Sequence, residues 1–207
     1  MQGGYDAIYR GLVGRLAECD FRESAQRLGL EYANGQIRVR FLMRDYGITL
    51  NGVQPLDGQP VNVNNLSVLL YYVLSQGHGE PENLYIPFQS IPRLTGGLNT
   101  LTRLMNAPLE RYFGEDYQKF RDAALRLGGM EEESGRGKHV WKLYVLPKIP
   151  MKIIFYEADE DFPVDIQIML DNTAIQFLEF ECLAFLVGCV VRSLIKTAQH
   201  NSVTGWE

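Results

Sequence analysis

The residues best placed to do chemistry are acidic. Glu157, Asp159, Glu160 and Asp161 stand almost side by side, with Asp165 and Asp171 close behind. Like charges this near repel and oppose folding unless something neutralises them. A hard divalent cation with oxygen ligands would do so, and Glu157, Asp159 and Asp161 are the ligand set on offer. The spacing is not that of an EF-hand, because the central glycine and the closing bidentate glutamate are missing. A small molecule or a partner protein is a second use for such a tip. A hairpin end solvated by water and nearby Lys and Arg is the third reading and the plainest.

Other groups offer less. His78 sits in a Gly-flanked loop, His139 at the start of a strand-like stretch and His200 near the end. None has the H-x-x-x-H or H-E-x-x-H spacing that puts two imidazoles on one helical face. His78 is kept as a candidate acid–base or binding group. Cys182 and Cys189 share a helical face but lie about 10 Å apart along it, too far to converge on one metal, so they read as core. Cys19 has no evident His partner. Gly135-Arg136-Gly137-Lys138 lacks the strand before and helix after that a phosphate loop requires, and reads as a connector. Thr95-Gly96-Gly97 opens a helix with Arg93 and Arg103 in reach, so Gly96 and Gly97 are candidate anion contacts, beside the commoner reading as a tight turn. No nucleophile elbow or dinucleotide-binding fingerprint is present.

The elements that must position these groups can be read in order. Tyr5, Ile8, Leu12 and Leu16 recur at helical spacing, and Asp20 with Glu23 can cap a second helix stopped at Gly29. Ile37, Val39, Phe41 and Met43 alternate with arginines as a half-exposed strand. Asn51-Gly52 predicts a type I′ turn. Asn64 or Asn65 can cap a helix through Leu66, Leu69, Leu70 and Val73 to Gly77. Leu84 to Phe88 is short and extended, and Leu98, Leu101, Leu104 and Met105 follow on a helix opened by Gly96-Gly97. Asp116 to Leu127 is amphipathic, and Glu131 to Lys138 is a charged loop. Val140–Leu146, Pro150–Tyr156 and the alternation Val164, Ile166, Ile168, Leu170 are strands. Thr173…Gln176 matches a capping box for a long helix to about Ala198, with Phe177, Leu178, Phe185 and Leu186 in the core. Glu179 and Glu181 early, with Arg192 and Lys196 late, suit its dipole.

Helices at both ends with strands between predict an α+β fold: a mixed, mostly antiparallel sheet with helices packed on it and a long C-terminal helix. The 207 residues fit one domain, with a helical segment over 1–30 and a flexible tail over 199–207. A hydrophobic fraction of 46% supplies a core without metal or disulfide. The net charge of −5 and the absence of any Lys/Arg run argue against nucleic acid as a partner. The longest uncharged apolar run, Cys182 to Val191, is too short to span a membrane, the first residues lack a signal-peptide pattern, and the odd cysteine count suits reduced thiols. A cytoplasmic protein is expected.

Several blocks also carry a family resemblance. Leu69-Leu70-Tyr71-Tyr72-Val73-Leu74, Tyr85-Ile86-Pro87-Phe88, Gly96-Gly97 and Leu146-Pro147-Lys148-Ile149-Pro150 occur in this order. They are followed by Tyr156-Glu157-Ala158-Asp159-Glu160-Asp161-Phe162-Pro163 and Met169-Leu170-Asp171. Together they resemble the DUF3786 family of bacterial and archaeal proteins, frequent in anaerobes, over roughly Ile37 to Lys196. The acidic block is the most specific part. Ala158 stands where the family usually has Gly, and Tyr71 or Tyr72 where His is common. The resemblance implies no established activity, and the cysteine-rich iron–sulfur segment of some relatives has no counterpart in these residues. With no His/Cys/Ser constellation in the sequence, the functional expectation is a non-catalytic small-molecule or partner-binding accessory protein in anaerobic metabolism. Its rival is a metal-assisted enzyme using the acidic loop 157–161 and a divalent cation. Homo-oligomerisation through a strand edge or the last helix is compatible with either.

Overall fold

The computed structural model describes residues 2–61, 63–91, 100–114 and 116–201. Seven helices and nine strands follow in the order α1 (Gln2–Arg15), α2 (Phe21–Leu28), β1 (Glu31–Ala33), β2 (Gln36–Phe41), β3 (Arg44–Thr49), β4 (Gly52–Pro55), α3 (Val63–Leu74), β5 (Tyr85–Pro87), α4 (Thr100–Phe113), α5 (Tyr117–Arg126), β6 (Met130–Gly135), β7 (Lys138–Leu146), β8 (Ile149–Tyr156), β9 (Asp165–Asp171), α6 (Ala174–Phe177) and α7 (Phe180–Asn201) among the described residues. The class is α+β, as expected. The strands form two separate sheets instead of one: a meander β1-β2-β3-β4 and a five-stranded sheet β5-β9-β8-β7-β6, every pairing antiparallel.

Local chemistry explains the punctuation. Asp20 caps α2, its Oδ1 accepting from the backbone N–H groups of Arg22 (2.9 Å) and Glu23 (3.0 Å), and Gly29 closes the helix in the left-handed region. Asp116 caps α5 in the same manner through Lys119 N–H at 2.9 Å. Three hairpin turns place positive φ at both central residues: Asn34-Gly35, Leu42-Met43 and Arg136-Gly137. That geometry matches the right-handed twist of paired strands.

Several expectations change here. The strand expected through Met43 reverses at Leu42-Met43, and Arg44 begins the return strand. Met43 continues the apolar spacing of Ile37, Val39 and Phe41 past the reversal because it folds over Gly128, its Sδ only 2.7 Å from where a Cβ there would lie. The tight turn expected at Asn51-Gly52 is centred one residue earlier, on Leu50-Asn51, with Gly52 paired to Thr49. Gly52 is required for room, since a Cβ would come within 2.6 Å of the Tyr9 hydroxyl. The charged loop expected at Glu131–Lys138 is edge strand β6 and its turn. A strand exposed on both faces shows no apolar alternation. The helix expected to reach Gly77 ends at Leu74, and the one opened by Gly96-Gly97 begins outside the described residues, which resume at Thr100.

The five-stranded sheet buries Trp141, Leu143, Val145, Met151, Ile153, Phe155, Ile166, Ile168 and Leu170. Phe120 of α5 meets it edge-on at Trp141 (6.2 Å between ring centroids) and packs on Phe155 at 5.2 Å. Helix α7 runs through the centre, packed on α3, α4 and α5, and α3 carries α1 and the edge of the meander. The capping box expected at Thr173 does not form: Thr173 is itself helical, its side chain makes no cap, and α6 ends at Phe177 before α7 starts afresh at Phe180. Thr173 is drawn away by Asp171, whose Oδ1 accepts from both its N–H (3.1 Å) and its hydroxyl (2.7 Å). Phe177, Leu178 and Leu186 are core as expected, but Phe185 is 41% exposed. Residues 199–201, expected in a flexible tail, are the last of α7. Among the described residues no helix is long and apolar enough to cross a membrane.

Candidate functional site

The acidic loop does not converge. Asp159 is spent on its own backbone, Oδ1 accepting from the N–H groups of Asp161 (2.9 Å) and Phe162 (2.8 Å) while its N–H donates to Phe162 O at 3.0 Å. Glu160 and Asp161 are exposed. Glu157 turns away, its Oε1 2.8 Å from His139 Nε2. Asp171 lies at the other end of β9, fully buried. Its Oδ1 also accepts from Glu82 N–H at 3.2 Å, and its Oδ2 has no partner among the described residues. Among the described residues no three His, Cys, Asp or Glu side chains are grouped so as to hold a metal ion. His78 is exposed in its loop. Gly96 and Gly97 lie outside the described residues.

His139 instead anchors a network. It is 7% exposed, and its ring stacks on Tyr117 with centroids 3.5 Å apart. Its Nδ1 faces Ser134 Oγ (2.9 Å) and Glu131 Oε1 (3.3 Å). The Tyr117 hydroxyl donates to Glu131 Oε1 and accepts from Trp141 Nε1 at 3.2 Å. Burial, with the carboxylate beside it, holds the Tyr117 phenol well above its ordinary value. Burial also pushes Glu131 up, but the hydrogen bonds from Tyr117, Ser134 and His139 outweigh it and leave that carboxyl below the usual range. The network ties α5 to β6, β7 and β8, and its polar atoms are met by one another.

A second polar cluster is concave. Between the start of β3, the chain at 60–61, the first turn of α3 and the last third of α7 lies a cavity of about 370 Å³. Its lining includes Arg44, Tyr46, Asn65, Cys189, Arg192 and Lys196. The Arg44 guanidinium grips Asp57 in a two-pronged pair (Nε–Oδ2 2.9 Å, Nη2–Oδ1 2.7 Å) and also donates to Gln59 O at 2.9 Å, which fixes one wall. This pairing holds Asp57 below the usual carboxylate range. Tyr46 lies beneath Arg44 (5.7 Å from Cζ to ring centroid). The residue as a whole is 2% exposed, its hydroxyl has no hydrogen-bond partner among the described residues, and burial pushes the phenol up. The Cys189 thiol donates to Asn65 Oδ1 at 3.0 Å and accepts from Arg192 Nη2 at 3.3 Å. Burial raises that thiol, against the pull of Arg192, so it remains a donor.

Asp57 offsets Arg44, while Arg192 has no carboxylate within ion-pair range among the described residues. Arg192 and Lys196 are one helical turn apart, a like-charge spacing that costs a few tenths of a kcal/mol on a bare helix. Both precede the last turn of α7, where the helix dipole would favour a cation. The sequence reading assigned them to that dipole and Cys189 to the core. The available signal was a polar stripe (Cys189, Arg192, Ser193, Lys196, Thr197) along one side of an otherwise apolar helix. Tyr46 and Arg44, distant in sequence, had no signal linking them to it.

Two antiparallel sheets, a long helix packed on α3, α4 and α5, and a cationic cavity between β3 and α7 define the class of domain among the described residues. A sequence profile described as a domain of unknown function, DUF3786, matches residues 20–193, and the chain belongs to that family. Comparison with curated proteins and with solved structures finds no match.

Proposed function

We propose that this chain is a small-molecule-binding accessory domain whose ligand carries an anionic group seated in the cavity between β3 and α7. The observation that carries the reading is that Arg192, with no carboxylate in ion-pair range among the described residues, and Tyr46, whose hydroxyl has no hydrogen-bond partner among them, line one cavity. An anion would accept from the free guanidinium N–H groups and from the phenol, and Asn65 and Ser193 add polar groups to the lining. The volume is that of a small ligand site. The acidic loop, with Asp159 holding its own turn and Glu157 holding His139, supports a structural role for the family's most specific block.

The test is thermal unfolding with inorganic phosphate and with acetate at constant ionic strength. Both anions can raise the melting temperature through exclusion from the surface, so the informative comparison is with Arg192→Gln. Site binding at a hundredfold excess over Kd stabilises the wild type by about 2.7 kcal/mol, and the variant loses that increment. Equal shifts in wild type and variant overturn the reading.

A further inference from the structure

We propose that the anion is one end of an amphiphile, a single molecule with one anionic head and a linear apolar tail, whose tail lies along the groove between α4 and α7. This rests on the anion reading above. The groove has a volume of about 530 Å³ and is lined by Met105 and Pro108 of α4 and by Phe180, Ala184, Phe185 and Val191 of α7 among others. It and the cationic cavity have one lining residue in common, Arg192. At about 100° per residue the groove residues of α7 and the cavity residues occupy adjacent faces, with Arg192 on the border. The guanidinium folds back along the helix there. Its Nη2 is 3.3 Å from Cys189 Sγ, and its Nη1 is 3.2 Å from the position a Cβ on Gly188 would take. A side chain at 188 would crowd it. The missing side chain leaves room for the guanidinium to lie against the helix between groove and cavity.

Charge gives the groove a direction. Its two charged lining residues are Glu181 near one end and Arg192, whose guanidinium lies back beside Gly188, about seven residues or about 10 Å along the axis from Glu181. A monoanion fits with its head at Arg192. A second anionic group on the far end of the tail would meet Glu181. The exposed Phe185, on a helix whose other large apolar side chains are mostly buried, becomes a wall of the tail site.

Isothermal titration calorimetry on the full chain would use inorganic phosphate, acetate, butyrate, octanoate, decanoate and octanedioate, all below micellar concentrations. The expected result is affinity rising along the monocarboxylates by up to about fourfold per methylene until the groove fills, with octanedioate far weaker than octanoate. Arg192→Gln removes binding across the series, and Ala184→Trp, which fills the groove, flattens its dependence on chain length. Phe185→Ser, at an exposed position, replaces Ala184→Trp if that variant does not fold. Arg192-dependent binding of phosphate and acetate with no gain from chain length overturns the tail and leaves the anion site standing. No Arg192-dependent binding of any anion overturns both. Adsorption to anionic vesicles without binding of monomeric octanoate, or a dimer that Phe185→Ser dissociates, overturns the tail by giving the face another occupant.

Discussion

Single residues here do work that their type alone would not suggest. Glu131 sits in a run of exposed glutamates, yet it is the member that accepts from Tyr117 and meets His139. Its depressed value has a stability consequence with a definite sign. A carboxyl whose folded value lies below its ordinary 4.5 contributes stability above that pH and loses it as the pH falls through the folded value. Glu131→Gln is therefore expected to cost about 1 kcal/mol at neutral pH, an amount discounted for the solvent around the group. The difference from wild type should shrink as the pH is lowered below 4.5. Urea unfolding of both proteins across that range checks it. A gap that stays constant would mean the carboxylate charge is not what Tyr117 and His139 hold.

At the scale of elements, α7 makes the sharpest distinction. Leu186 is fully buried and Phe185, its neighbour, is 41% exposed. Leu186→Ala should cost about 2–5 kcal/mol and Phe185→Ala less than about 1 kcal/mol, read as shifts in the denaturation midpoint. Comparable losses at the two positions would mean that Phe185 is held by more than the groove wall. The sequence favoured Phe185 as core because a helix apolar on nearly every side has no visible outer face. The same limit explains what else was legible. Caps with local partners were readable, as at Asp20, and so were strands with one buried face. The edge strand β6, with neither face buried, read as a loop. The Thr173 capping box failed because a residue two positions earlier, Asp171, competes for the same hydroxyl. The cationic cavity was out of reach, since Tyr46 and Arg192 stand far apart in sequence and each has a plain local explanation.

Across the whole molecule, the family match and the physical domain do not share a boundary. The match begins at residue 20, but Leu12 and Leu16 of the first helical segment are buried at 4% and 0%, and Tyr9 hydrogen-bonds Val53 N–H at 3.0 Å. Removing residues 1–19 should therefore lower stability by at least about 3 kcal/mol, two leucines' worth of burial, as measured by chemical denaturation. A truncated chain as stable as the full one would show that α1 is an ornament on the family core. The cavity is a whole-molecule property in the same sense: β3 belongs to the meander, while α7, near the end of the chain, packs on α3, α4 and α5, so the two walls meet only once the chain has closed.

The strand borders carry a last consequence. A sheet ends in backbone donors and acceptors that any passing strand could extend, which is how folded proteins are drawn into fibres. Here β6 ends its sheet with three successive glutamates, Glu131 to Glu133, and the opposite border is the three-residue β5, closed by Pro87, which has no N–H to offer. The meander ends in a three-residue β1 on one side and in β4, finished by Pro55, on the other. A further strand would meet a short stub, a proline or side chains already held in ion pairs with Lys138, Lys142 and Lys152. The strand borders are thus poor templates for extension.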